Sequence, residues 1–120
     1  MPKEFGRNRR VAQFIKEELS ILIQREFPLS QFGMITLTNV DVSPDLKNAI
    51  VYFTVLNNTD SNETLVNELN DQAGHFRHEI AIMMTSKGVP VLRFKYDESI
   101  ERAQRLTDII ESVSHPEDDK

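Results

Sequence analysis

The chain has 120 residues, 39% of them apolar, no cysteine, and a formal net charge of -5 with a pI near 5.2. That length and apolar content predict one domain with a modest core, and the missing cysteines exclude a disulfide framework and a cysteine-based zinc site. No stretch is apolar for long enough to be a signal peptide or a membrane span, so a soluble cytoplasmic protein is expected.

The first element predicted is a helix over residues 8–26, with Val11, Phe14, Ile15, Leu19, Leu22 and Ile23 on one stripe. Arg7, Arg9 and Arg10 at its start oppose the helix dipole, which points to a role toward a partner rather than in stability. Pro28 ends the helix and Gly33 precedes a strand over 34–42. Ile35 and Leu37 are apolar at odd positions but Val40 and Val42 at even ones, so a bulge near Thr38-Asn39 is expected. Ser43-Pro44-Asp45 supplies turn chemistry before a second strand over 48–56, making a β-hairpin. That strand has Ala49, Val51, Phe53 and Val55 on one face and Ile50, Tyr52, Thr54 and Leu56 on the other.

Ser61 or Asn62 can cap the next helix, whose apolar periodicity runs from Leu65, Val66 and Leu69 through Phe76, Ile80, Met83 and Met84. Gly74 interrupts it. Glycine inside one continuous helix costs about 1 kcal/mol relative to alanine, so two helices bending at Gln72-Ala73-Gly74 are predicted. The glycine is read either as a sharp turn or as a site of close packing. Lys87-Gly88 and Pro90 stop the second helix, and Leu92, Phe94 and Tyr96 alternate with Arg93 and Lys95 in a third strand with a basic outer face. A last helix over 99–113 carries Ala103, Leu106, Ile109, Ile110 and Val113 on one stripe. His115-Pro116 ends it before an acidic tail, 115–120, expected to be disordered.

Charge is unevenly distributed. Residues 1–16 hold Lys3, Arg7, Arg9, Arg10 and Lys16 against Glu4, whereas residues 57–71 carry four acids and no base, and 106–120 carry five acids against Lys120. A net acidic chain argues against nucleic acid, but this polarity fits one face that meets phosphate and others that keep the protein soluble. Amides opening the second helix of the bend, from His75 onward, would also attract phosphate, with Arg77 beside them. His75, Tyr52 and Gln72 are the side chains that could stack on or bond to exposed bases.

The order helix, strand, strand, bent helix pair, strand, helix is α+β, with a three-stranded sheet and helices on one face. It resembles the type II KH arrangement. Four stretches carry a closer resemblance: Arg9-Arg10-Val11-Ala12; Val40-Asp41-Val42-Ser43-Pro44-Asp45-Leu46-Lys47; Ala73-Gly74-His75-Phe76-Arg77; and the run 89–100, Val89-Pro90-Val91-Leu92-Arg93-Phe94-Lys95-Tyr96-Asp97-Glu98-Ser99-Ile100. In this order they are similar to the ribosome-binding factor A family. The resemblance implies residues 1–114 as a KH-like ribosome-binding domain in a non-enzymatic cytoplasmic protein. It further implies binding to the immature small (30S) ribosomal subunit and its 16S rRNA, assistance in late rRNA processing, and importance in the cold. It leaves room for other maturation factors or a GTPase as partners, for a monomer, and for no cofactor or membrane.

KH domains clamp single-stranded RNA with a Gly-x-x-Gly loop, and no two of Gly6, Gly33, Gly74 and Gly88 are three apart. The family resembled replaces that loop with an Ala-x-Gly bend; here Gly74 matches the glycine and Gln72 stands at the alanine position. The RNA-binding residues so implied or read are Arg7, Arg9, Arg10, Lys16, Gln72, Gly74, His75, Arg77, Arg93 and Lys95. Three histidines without a nucleophile arrangement argue against an enzyme, and His75 and His78 with Glu79 are too few to hold a metal. The rival reading is a protein-interaction module without RNA contact, using the acidic segment 57–71 with Ile50 and Leu56.

Overall fold

A computed structural model describes residues 2–84 and 88–114. The helix stop at Lys87 and the acidic tail 115–120 lie outside the described residues. Helix α1 spans Pro2–Glu26, and a one-turn helix α2 (Leu29–Phe32) follows Pro28. Strands β1 (Met34–Val42) and β2 (Asn48–Leu56) form the antiparallel hairpin. Helices α3 (Asn62–Asp71) and α4 (Ala73–Met83) make the crossover to β3 (Val91–Tyr96), which pairs parallel to β2, and α5 covers Ser99–Ser114. The sheet order is β1-β2-β3.

The register of β1 against β2 shifts between Leu37 and Asn39, so the expected bulge at Thr38 is present. It lets Leu37, Val40 and Val42 all point into the core despite their change of phase. There they meet Val51 and Phe53 from β2, Leu92 and Phe94 from β3, and the Ile15, Leu19, Leu22 and Ile23 stripe of α1. Leu65 and Leu69 of α3 and Phe76 and Ile80 of α4 complete this single core. Phe76 is fully buried, with its ring centroid 6.0 Å from that of Phe94 and 6.2 Å from that of Phe27.

The crossover is latched by Asn70 at the end of α3. Alternate backbone groups of β3 face away from β2, and those of Phe94 would be unpaired. The Asn70 side chain takes both: the Phe94 N–H donates to its Oδ1 at 2.7 Å, and its Nδ2 donates to the Phe94 carbonyl at 3.2 Å.

Two expectations change. The apolar stripe of α5 stays exposed: Leu106 is 58% exposed, Val113 69%, and no side chain from Ser99 to Val113 is buried. The face of the sheet that carries the core is filled by α1, α3 and α4. Gly74 is likewise neither a left-handed residue nor a close-packed one, since a Cβ there would meet nothing within 4 Å and the positive-φ glycines are Gly33 and Gly88. The bend itself falls where expected, but it is made at Gln72 (φ -94°, ψ 1°), whose N–H reaches the Leu69 carbonyl at 3.1 Å.

The glycine that the fold needs is Gly33, at φ +88°, where a Cβ would sit 2.6 Å from the Leu56 carbonyl oxygen. Gly33→Ala is expected to cost roughly 2–4 kcal/mol in urea unfolding followed by circular dichroism, whereas Gly74→Ala should be neutral or stabilise by up to about 1 kcal/mol. Asn70→Ala, which strands two backbone groups of Phe94, should cost about 2 kcal/mol or more in the same measurement.

Candidate nucleic-acid interface

The predicted site residues fall in three separate places. The first is the start of α1. Arg7 and Arg10 line a cleft of about 310 Å³ with Val11, Leu46, Met84, Gly88 and Pro90. Arg9 lines a second cleft of about 310 Å³ with Asn8, Ala12, Asp41, Val42 and Pro44. Between the clefts, Asn8 donates from Nδ2 to the Val42 carbonyl at 3.3 Å and so ties α1 to the end of β1.

All three guanidiniums are exposed, and none of them is in an ion pair among the described residues, where the pairs are Arg25–Glu26, His75–Glu26 and Arg102–Glu98. Arg10 makes one bond inside its own helix, from Nε to the Gly6 carbonyl at 3.4 Å. Lys16, two turns on, is half-buried and lies in neither cleft. Cations gathered this closely repel one another, and phosphate oxygens are natural partners for guanidiniums.

The hairpin turn 43–47 provides walls for both clefts. Leu46 adopts φ +62°, unusual for a bulky side chain, and packs against the core beside Arg7 and Arg10. Asp45 organises the turn: the Ser43 hydroxyl donates to its Oδ1 at 2.6 Å and the Lys47 N–H at 3.0 Å. These bonds, the Ser43 hydroxyl first, hold the Asp45 carboxyl below its ordinary pKa.

The second place is the bend. Gln72, Gly74 and His75 are exposed there, but the surroundings are acidic. Gln72 shares a cleft with Glu26, Glu68, Asp71, Phe27 and Phe32, and His75 Nε2 lies 2.8 Å from Glu26 Oε2. Arg77 uses its Nε on the Val89 carbonyl at 2.9 Å, fastening α4 to the entry of β3. Phosphate approaching the amides of α4 would meet these carboxylates first.

The third place is the open face of the sheet. Arg93 and Lys95 are exposed beside Ile50 and Tyr52 on β2, which are half-buried. This is the face away from α1, so one flat ligand cannot span both. Among the described residues no three His, Cys, Asp or Glu side chains gather in a metal-holding group, and no helix is long and apolar enough to cross a membrane. Asn8 was not legible as a site residue, because its partner lies 34 residues away.

A helix-hairpin-bent helix-strand body with this sheet order, in which a helical bend stands where a nucleic-acid loop would be, is a KH-like domain. The sequence profile of Ribosome-binding factor A matches residues 7–110. The chain is 41% identical over 113 residues to the ribosome-binding factor A of Nitrosospira multiformis, covering 94% of this chain and 90% of that one. It is 40% identical to that of Stutzerimonas stutzeri, covering 92% and 88%. The crystal structure of ribosome-binding factor A from Thermus thermophilus shares the fold, with a TM-score of 0.64 at 18% identity over 74% of this chain and 94% of that one. The chain belongs to the ribosome-binding factor A family.

The Asp45 turn gives a pH dependence with a definite sign. A carboxyl whose folded pKa is lowered stabilises the fold above its unfolded value of about 4, and that contribution is lost as pH falls through the lower folded value. Acid titration of Asp45→Asn, followed by chemical denaturation at each pH, should therefore show less loss of stability below about pH 4 than the wild type shows.

Proposed function

We propose that this protein binds the immature small (30S) ribosomal subunit through its 16S rRNA and assists late rRNA processing, with particular importance in the cold. The observation that carries the reading is the cluster of exposed Arg7, Arg9 and Arg10 near the start of α1, without an ion pair among the described residues, in a chain of net charge -5. Membership of a family named for ribosome binding supports it. On this reading the protein is a cytoplasmic, monomeric binding factor rather than an enzyme, and it hands the subunit on to other maturation factors or a GTPase. Residues 1–114 are its binding domain. Arg7, Arg9, Arg10 and Lys16 meet phosphate; Gln72, Gly74, His75 and Arg77 at the bend, and Arg93 and Lys95 on the sheet, are secondary contacts.

Contact with protein is the second reading, and the exposed apolar stripe of α5 favours it as an addition to RNA contact. Salt separates the two, because each phosphate contact adds about 0.9 to the slope of log K against log salt, while an apolar interface is nearly insensitive.

The test is co-sedimentation with immature and mature small subunits at two salt concentrations, with large subunits as control. Selective, salt-sensitive binding to small subunits is expected. Changing Arg7, Arg9 and Arg10 together to glutamate should abolish it and leave the circular dichroism spectrum and Tm nearly unchanged. Unaltered binding by that variant would refute the reading.

A further inference from the structure

Successive residues of α1 advance by about 100° around the helix axis, which puts Arg7 and Arg9 about 160° apart on opposite flanks. The buried stripe of Ile15, Leu19 and Leu22 points into the core between them. On the opposite, solvent side the ridge is formed by Gly6, Arg10 and Gln13, and it becomes acidic at Glu17. The first turns of α1 thus form a ridge with a cleft on each side, Arg7 and Arg10 in one and Arg9 in the other, none of them in an ion pair among the described residues. The place where a KH domain clamps single-stranded RNA is lined instead by Glu26, Glu68 and Asp71.

From this geometry we infer that α1 recognises double-stranded RNA: its ridge enters the minor groove of an A-form duplex, with Arg7 and Arg10 on one phosphate backbone and Arg9 on the other. The inference rests on the proposed RNA contact and specifies its form. A helix about 10–12 Å across suits the wide, shallow minor groove of A-form RNA and not the deep, narrow major groove. The minor groove of B-form DNA, about 6 Å wide, would not admit it, whereas the major groove, about 12 Å wide, would, so equal binding of a DNA duplex counts against the minor-groove mode. Along the ridge Arg10 folds back over Gly6, its Nε donating to the Gly6 carbonyl at 3.4 Å, and Gln13 donates from Nε2 to Glu17 Oε2 at 2.8 Å. Asn8 is a positioning residue, holding the ridge to the hairpin through the Val42 carbonyl.

The experiment is fluorescence anisotropy of the full chain with three labelled probes of about 16 units: an RNA duplex, one of its strands, and the same duplex in DNA. The expected result is RNA duplex binding about tenfold tighter than either other probe. Arg9→Glu, and separately Arg7→Glu with Arg10→Glu, should each weaken it about tenfold and lower the salt slope. Equal affinity for strand and duplex, or wild-type duplex binding by Arg9→Glu, would overturn the inference. Salt-sensitive sedimentation with small subunits alongside such a result would leave the ribosome reading standing; failure of both measurements would remove both.

Discussion

Parallel pairing of β2 with β3 obliges the chain to leave one end of the sheet and return to the other, and a crossover of two helices must then be held at a fixed height over the strands. Asn70 does this by acting as a one-residue strand, satisfying the outward N–H and C=O of Phe94 with a single amide. The arrangement places Phe94 under Phe76, so the aromatic contact that joins the crossover to the sheet depends on a polar side chain at its edge. It also shields the middle of an edge strand that would otherwise be open to pairing with another chain.

The same geometry separates the charges. The crossover brings the acids of α3 beside the end of α1, at Glu26, while the hairpin turn and the entry to β3 frame the other end of α1. One helix therefore runs from a basic to an acidic neighbourhood over its 25 residues. A polyanion would be attracted toward the first end and repelled from the second.

Much of this was legible in the residues. The change of phase between Leu37 and Val40 located the bulge, the turn chemistry of Ser43-Pro44-Asp45 located the hairpin, and Gly74 drew attention to the right bend, though Gln72 makes it. The four residues of α2 were not legible, because one turn between Pro28 and Gly33 shows no periodicity. Nor was the exposure of α5: an amphipathic stripe says that a helix has an apolar face, not that its own chain has room to cover it. The arginines stood out by charge, but the clefts around them depend on Asn8, Leu46 and Pro90, which converge from distant segments.

The detachment of α5 from the core divides the molecule thermodynamically. Its start is fixed where Asp97 joins the Thr38 hydroxyl to the Ser99 N–H, and beyond that point no burial supports it. Sixteen residues are near the length at which a helix in water is only marginally formed. Its helix content is then an equilibrium of its own, decoupled from unfolding of the sheet. Any molecule that covers the stripe must first supply the free energy of ordering it, so its observed affinity falls short of what the contact area alone would give, and its departure returns α5 to that equilibrium while the rest of the fold stays intact.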